Sequence, residues 1–465
     1  MQQLRRPADG PRLANRLEHL DMSESHVLTH NLYLYPAYLY SLSARCHAHY
    51  CEACLQNRNG IMTQRVCIIG GGVIGLTTAY ALVRQGLQVD LIDAQPDLAR
   101  QTSFANGGQL SYRYVAPLAD SGVPLQALVW MLQGDSPLKL RPRLDLRQWR
   151  WMMAFLGACR GSVNRRNAEQ LYRLALQSQR VLNTWREEDA LGEFAWRRNG
   201  KLVTFRSRSS FSHARTRLCE PQSQQVLEPN ALFDLEPTLA NAPFVGGIFT
   251  PDEEVGDCHQ FCLLLAERLR ASGLCNFILG QAVTRIREVG GKVQAVQLGD
   301  QVLPVQQLVL SAGYRSAALA LPGMRIPVYP LKGYSLSVPI LPEHQAPEVS
   351  VTDYDRKVVY ARLGQQLRVA AMVDIVGFDP SIDRRRIDSI RQAASALFPQ
   401  GGDYPQALEW AGMRPATPSG VPLVGATPYR NLWLNLGHGA LGFTLACASA
   451  QRLSEMIAGR EDTQV

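Results

Sequence analysis

Lysine is nearly absent from this chain. It stands at only five positions, Lys139, Lys201, Lys292, Lys332 and Lys357, so arginine supplies almost all of the 48 basic residues and the net charge of +8. That surplus suits an anionic substrate or surface, or reflects a compositional bias. No nucleic-acid-binding module accompanies it, which argues against that class of partner. Long apolar runs are missing too. The nearest, Val66 to Val83, is interrupted by glycines, and none reaches the ~20 residues a membrane helix needs. The first residues lack the apolar segment of a secretory signal. In the main body Cys67, Cys159, Cys219, Cys258, Cys262, Cys275 and Cys447 are scattered without paired spacing. That pattern fits reduced, buried thiols in a cytosolic protein rather than a disulfide framework. What remains is a 465-residue chain, 46% apolar and 19% charged. It is long enough for two or three domains with large cores.

Residues 1–61 differ from the rest. They hold five of the nine histidines (His19, His26, His30, His47 and His49) together with Cys46, Cys51 and Cys54. Cys46-His47-x-His49-x-Cys51-x-x-Cys54 has the outline of a zinc knuckle, but the expectation is no metal. Met62 stands four residues before the first strand of the motif described next. Residues 1–61 are therefore expected to be an upstream extension, disordered or not native, with translation starting at Met62.

Residues 66–93 read as one unit. Val66-Cys67-Ile68-Ile69 is a buried-strand pattern, followed without a gap by Gly70-Gly71-Gly72-Val73-Ile74-Gly75. A helical stretch from Leu76 to Gln85, a turn at Gly86, a second strand Val89–Ile92 and an acid, Asp93, complete it. This is the pattern of a dinucleotide-binding βαβ unit. Gly70 makes the tight turn, Gly72 lets backbone approach a pyrophosphate, and Gly75 allows close helix–strand packing. The pyrophosphate sits at the positive helix end, and Asp93 accepts from ribose hydroxyls.

Downstream, periodicity predicts a helix over 164–190, strands near Lys201–Phe205 and Gly246–Phe249, and a helix from its cap at Asp257 through Leu269. Strands follow at Asn276–Leu279, Ala282–Ile286, Val293–Leu298 and Leu303–Leu310. Further strands are expected over 325–375, a helix over 384–397, and a strand, Gly-rich turn and long helix from Leu432 to Ala458. The expected class is α/β: a discontinuous Rossmann-type nucleotide domain plus an antiparallel-sheet (α+β) domain.

Further segments now carry a resemblance. Thr102-Ser103-Phe104-Ala105-Asn106-Gly107-Gly108-Gln109, Tyr329-Pro330-Leu331-Lys332-Gly333-Tyr334-Ser335, Trp410 to Gly420 around Arg414, and Asn435 to Thr444 around His438 are similar to the FAD-dependent D-amino-acid dehydrogenases (small-subunit type). These lie within the wider D-amino-acid oxidase, glycine oxidase and sarcosine oxidase group. The resemblance spans about Met62 to Arg460. It implies FAD-binding segments at 62–116, 246–321 and 405–465, and substrate-domain segments at 117–245 and 322–404. It implies cofactor contacts from Gly70, Gly71, Gly72, Val73, Ile74, Gly75 and Asp93, and from the loop at Ser103, Asn106, Gly107, Gly108 and Gln109. Val283 meets the adenine, Gly313 turns beside the cofactor, and Gly437, Gly439, Leu441 and Gly442 bring a helix N-terminus to the flavin. Asp93 stands where the family more often has Glu.

Three side chains are the catalytic-site candidates. Arg414 is expected to grip the carboxylate of an amino acid bidentately. The Tyr334 hydroxyl reaches the carboxylate or amine, or is an ordinary strand tyrosine. His438 invites a general-base reading, though the resemblance gives its segment a backbone role. Tyr354 and Tyr360 are weaker candidates, and His259 is expected to be structural. Residues 125–156 interleave Trp, Met, Leu and Phe with Arg141, Arg143, Arg147 and Arg150, a pattern that can lie in a membrane interface. The implied function is oxidative deamination of D-amino acids to a 2-oxo acid and ammonia, with electrons passed to a membrane quinone, the respiratory chain or another acceptor, and a cytoplasmic protein docked on the inner membrane face. Alternatives are an oxygen-using oxidase, a D-proline or other secondary-amine dehydrogenase, and a flavin subunit inactive alone.

Overall fold

The computed structural model describes residues 64–124 and 136–459. The expected extension, its Cys/His motif and the part of the amphipathic stretch at 125–135 lie outside the described residues.

Six strands form the first sheet, in the spatial order Leu423–Ala426, Leu432–Leu436, Gln307–Leu310, Arg65–Ile69, Gln88–Asp93 and Cys275–Leu279. Every neighbouring pair is parallel except the first. Its members come from well-separated parts of the chain, as a discontinuous nucleotide fold requires. Side-chain alternation explains why the sheet is covered twice. Val66 and Ile68 face the helices Val73–Arg84, Cys258–Ala271 and Gly442–Ile457. Cys67 and Ile69 face a small antiparallel sheet of Val283–Val289, Lys292–Leu298 and Gln301–Pro304. The helix Gly161–Glu188 closes the helical layer through Leu171, Leu174, Leu182 and Trp185. Asp257 caps its helix as expected, accepting from His259 N–H and Gln260 N–H at 2.9 and 3.0 Å.

The second sheet has nine strands. Eight run in the order Leu408–Ala416, Tyr329–Pro339, Gln366–Ile375, Val358–Leu363, Ser350–Asp353, Lys201–Phe205, Gly246–Thr250 and Gln225–Leu227, and Leu138–Leu140 pairs with Gln366–Ile375. One face is apolar: Tyr334, Leu336 and Val338, with Leu367, Val369 and Ala371, pack against Ile387, Ile390 and Ala394 of the helix Arg384–Leu397. The opposite face, bearing Ser335, Ala370 and Arg414, lines the cavity described below.

Three expectations need correction. Gly246–Thr250 and Leu408–Ala416 pair inside this large sheet, although both were assigned to the nucleotide-binding part. Gly246–Thr250 pairs with Lys201–Phe205 and Gln225–Leu227, and Leu408–Ala416 pairs with Tyr329–Pro339, pairings that the pattern within each strand does not encode. Leu303–Leu310 is two strands in different sheets, Gln301–Pro304 and Gln307–Leu310, broken at Val305-Gln306.

Candidate active site

One cavity of about 1770 Å³ runs from the Gly70 turn to Arg414. Its cofactor end is made almost wholly of backbone. Gly70 has φ +118, and a Cβ there would lie 2.4 Å from the Ser311 carbonyl oxygen. A Cβ on Gly75 would lie 1.7 Å from the Gly70 carbonyl oxygen, so the helix can start this close to the strand only with glycine. The helix Val73–Arg84 begins at Gly72 with no side-chain cap and no acid in its first turn. The helix Gly442–Ile457 also starts without a side-chain cap. Two positive helix ends, neither capped by its own N-cap side chain, therefore border one cavity, an arrangement that favours anionic groups.

Most expected cofactor residues line this cavity: Gly70, Gly72, Val73, Ile74, Asp93, Ser103, Asn106, Gly107, Gly108, Gln109, Val283, Gly313, Gly439, Leu441 and Gly442. Gly71, Gly75 and Gly437 do not. Gly71 N–H donates to Asp93 Oδ2 at 2.5 Å, Gly75 packs on Gly70, and Gly437 turns the chain at φ +86 against Thr417. Asp93 also accepts from Gln95 N–H through Oδ1. A carboxylate has further lone pairs, so ribose hydroxyls remain within its capacity.

The loop over 102–109 is fixed at every step between the two sheets. Ser103 Oγ accepts from Val73 N–H at 2.9 Å, and Thr102 Oγ1 donates to the Met413 carbonyl at 2.8 Å. Ser335 Oγ donates to the Ala105 carbonyl at 2.7 Å, and Arg368 Nη1 to the Asn106 carbonyl at 2.6 Å. Lys201 Nζ, buried in the cavity wall, donates to Gln109 Oε1 at 2.8 Å and Ser111 Oγ at 2.9 Å. Burial lowers its pKa to about 8. Ser335, Arg368 and Lys201 were not anticipated. Only their strand register reveals them, since each alternates onto the cavity face.

At the other end the strand Gln366–Ile375 carries a bulge. Tyr334 pairs with Ala371, whereas Lys332 pairs with Asp374, so Met372 and Val373 together oppose Gly333. Met372 adopts φ +70, a left-handed backbone that costs a non-glycine residue ~1–2 kcal/mol. Its carbonyl accepts from Arg414 Nη1 at 2.8 Å. The guanidinium lies over Gly333, where a Cβ would come within 2.2 Å of Nη2. Burial lowers the Arg414 pKa to about 10, against a partial opposing pull from Asp374. Among the described residues no carboxylate lies within ion-pair distance of Arg414. Arg414 is half-buried on the cavity wall, and an anionic ligand there would supply the counter-ion it lacks.

Tyr334 and His438 are placed differently from their catalytic readings. Tyr334 borders the cavity, but its ring packs in the helix-covered apolar cluster and its hydroxyl donates to Asp374 Oδ2 at 3.0 Å. Asp374 in turn pairs with Arg386. The hydroxyl is thus committed to a structural carboxylate. His438 is 2% exposed, and its Nε2 lies 3.0 Å from Ser449 Oγ. That hydroxyl has the Leu445 carbonyl as acceptor at 3.0 Å, which leaves it to accept from a neutral Nε2–H. Burial lowers the His438 pKa to about 3, far too weak for a base at neutral pH. Its Nδ1 is buried with no protein donor, an orphan acceptor that a ligand can satisfy. Tyr360 is buried against Phe398 on the far face, Tyr354 lines the cavity, and His259 meets Phe104 edge-to-face.

These features fit a large anionic dinucleotide: positive helix ends, a glycine cradle and an unsatisfied acceptor deep in the wall. Residues 65–456 match the family model described as FAD dependent oxidoreductase. The chain belongs to this family. It is 63% identical over 399 residues to D-amino acid dehydrogenase 2 of Pseudomonas aeruginosa, covering 86% of this chain and 96% of that protein. It is 42% identical over 418 residues to D-amino acid dehydrogenase 2 of Ralstonia nicotianae, covering 85% and 97%. Among solved structures, glycine oxidase from Bacillus cereus superposes with a TM-score of 0.65 at 19% identity, covering 86% of this chain and 96% of that one. As a member of this FAD-dependent family the protein is an oxidoreductase, and FAD is its cofactor.

Proposed function

We propose that this FAD-dependent oxidoreductase deaminates D-amino acids oxidatively, giving 2-oxo acids and ammonia. The observation that carries the reading is Arg414, a half-buried guanidinium in the cavity wall with no carboxylate at ion-pair distance among the described residues. The names of the relatives at 63% and 42% identity support the D-amino-acid class. The cofactor contacts assigned above from the sequence, less the three glycines that act through packing and turns, form the proposed FAD site. Bound FAD supplies the acceptor for the two electrons that leave the substrate. The protein's part is positioning. Arg414 holds the carboxylate, which orients Cα–H in the cavity. The apolar wall excludes water, and His438 stays neutral. The substrate ammonium gives its proton to solvent water as it enters the site, so no strong base is asked of His438 or Tyr334.

The helix Leu146–Ala158 supports a membrane-side acceptor. Trp151 is interior, its Nε1–H donating to the Ala416 carbonyl at 2.8 Å, and Phe155 stacks on it. Leu146, Trp149, Met153 and Leu156 are exposed, at a spacing that places them on one face. Arg147 and Arg150 flank them, exposed. We infer that this face docks on an anionic membrane and that electrons pass to a membrane quinone. Among the described residues no helix is long and apolar enough to cross a membrane.

Anaerobic mixing of the purified yellow protein with D-alanine or L-alanine tests the substrate class. Bleaching by the D-isomer alone is expected, and bleaching by the L-isomer alone would overturn it. Hydrogen peroxide release during turnover would replace quinone by oxygen. Changing Trp149, Met153 and Leu156 to Ser should abolish sedimentation with anionic vesicles. Wild-type sedimentation of that variant would remove the membrane reading.

A further inference from the structure

Met372 is the residue whose role the chemistry above leaves unexplained. Its left-handed backbone at φ +70 occurs at a bulge position where glycine is the usual occupant. Three other observations converge on it. The strand Gln366–Ile375 changes its outer partner there, from Ala371 opposite Val358 to Val373 opposite Leu138. The 372 carbonyl accepts from Arg414 Nη1 at 2.8 Å. Directly across the bulge, Gly333 leaves the space that the guanidinium fills.

A regular strand pairs its carbonyls along the sheet. The bulge frees one carbonyl from that ladder and turns it toward the cavity. Strained backbone held in place by its surroundings is characteristic of functional sites. We propose that the Met372 bulge and Gly333 form a positioning device for Arg414. The carbonyl anchors one edge of the guanidinium, the missing side chain at 333 sets its height over the sheet, and the remaining N–H groups are left aimed at a carboxylate. Met372 is a positioning residue, because it acts through Arg414 and by its backbone rather than its side chain. The idea rests on the reading of Arg414 as the carboxylate site.

The test compares the affinity of the holoenzyme for benzoate and for its neutral isostere benzamide, each followed by perturbation of the flavin spectrum. General damage to the cavity weakens both probes alike, whereas misplacing Arg414 weakens only the carboxylate. Met372→Val disfavours positive φ strongly and should lower the benzoate-to-benzamide ratio about tenfold. Met372→Gly keeps the backbone and removes the side chain, so both affinities fall together and the ratio stays within about threefold of wild type. Combined with Arg414→Met, Met372→Val should add almost no further loss in the ratio. If Met372→Val does not hold flavin, Met372→Ala takes its place, with a smaller loss of the same sign. A ratio unchanged by Met372→Val while Arg414→Met abolishes it would overturn the positioning role and leave the carboxylate site standing. A ratio lost equally in Met372→Gly would assign the effect to the side chain and also overturn it. A ratio insensitive to Arg414→Met would overturn the underlying reading instead.

Discussion

The two sheets bind their ligands by different means. At the nucleotide end the chain offers glycines, helix ends and backbone N–H groups, with Asp93 as its main charged side chain. At the Arg414 end it offers a cation whose place is set by a bulge, a missing side chain and an antiparallel partner. Backbone recognition depends on how closely two elements approach, so it fails completely when one atom is added. Side-chain recognition depends on one group and its support, so it fails by degrees.

The strongest way to break this contrast is Gly75→Ala. The added Cβ would lie 1.7 Å from the Gly70 carbonyl oxygen, and backbone cannot yield there without moving the strand or the helix. The expected product is a protein without flavin, seen as loss of the visible absorption after purification. A yellow Gly75→Ala protein would show that the helix can shift and that close approach is not what builds the site.

Arg414→Met should leave flavin binding intact. It removes a charge-assisted carboxylate contact of ~4 kcal/mol, so kcat/KM for D-alanine should fall about a thousandfold. Steady-state kinetics on flavin-loaded protein measures it. A loss below tenfold would mean that the carboxylate is held elsewhere.

The same contrast governs how much could be read in advance. The unit at 66–93 is largely local: the Gly75–Gly70 approach, the strand pair and the Gly71–Asp93 hydrogen bond all lie within thirty residues, so its glycines and acid were legible. The helix Arg384–Leu397 was likewise legible, since its apolar period is carried by its own sequence. The large sheet was not. Gly246–Thr250 and Leu408–Ala416 take their identity from the strands they pair with. Nothing in a methionine signals that residue 372 has positive φ, because the tertiary pairing imposes it. Tyr334 was readable in principle: Tyr334-x-Leu336-x-Val338 alternates, which places the tyrosine on the same apolar face as its neighbours.

His438 tests whether the backbone-built end tolerates charge. Its folded pKa, about 3 against an ordinary 6.5, means that the unfolded chain binds the proton more readily. Stability is therefore complete above pH 6.5 and declines as pH falls toward 3, by roughly 3 kcal/mol at pH 4.5 from this group. His438→Asn removes the titration. Its Tm should fall less than that of wild type between pH 7 and 4.5. Equal falls would place the acid sensitivity in other groups.

The smallest effect is expected from Tyr334→Phe, and it separates the two faces of the large sheet. If the hydroxyl serves only Asp374, its loss leaves that carboxylate with Arg386 and costs ~1 kcal/mol of stability. KM for D-alanine should then stay within about threefold of wild type, because the hydroxyl is committed to Asp374 although the residue borders the cavity. A denaturant titration reads the first quantity and steady-state kinetics the second. A tenfold rise in KM with unchanged stability would bring the hydroxyl into the substrate site and make the alternation of that strand the wrong guide.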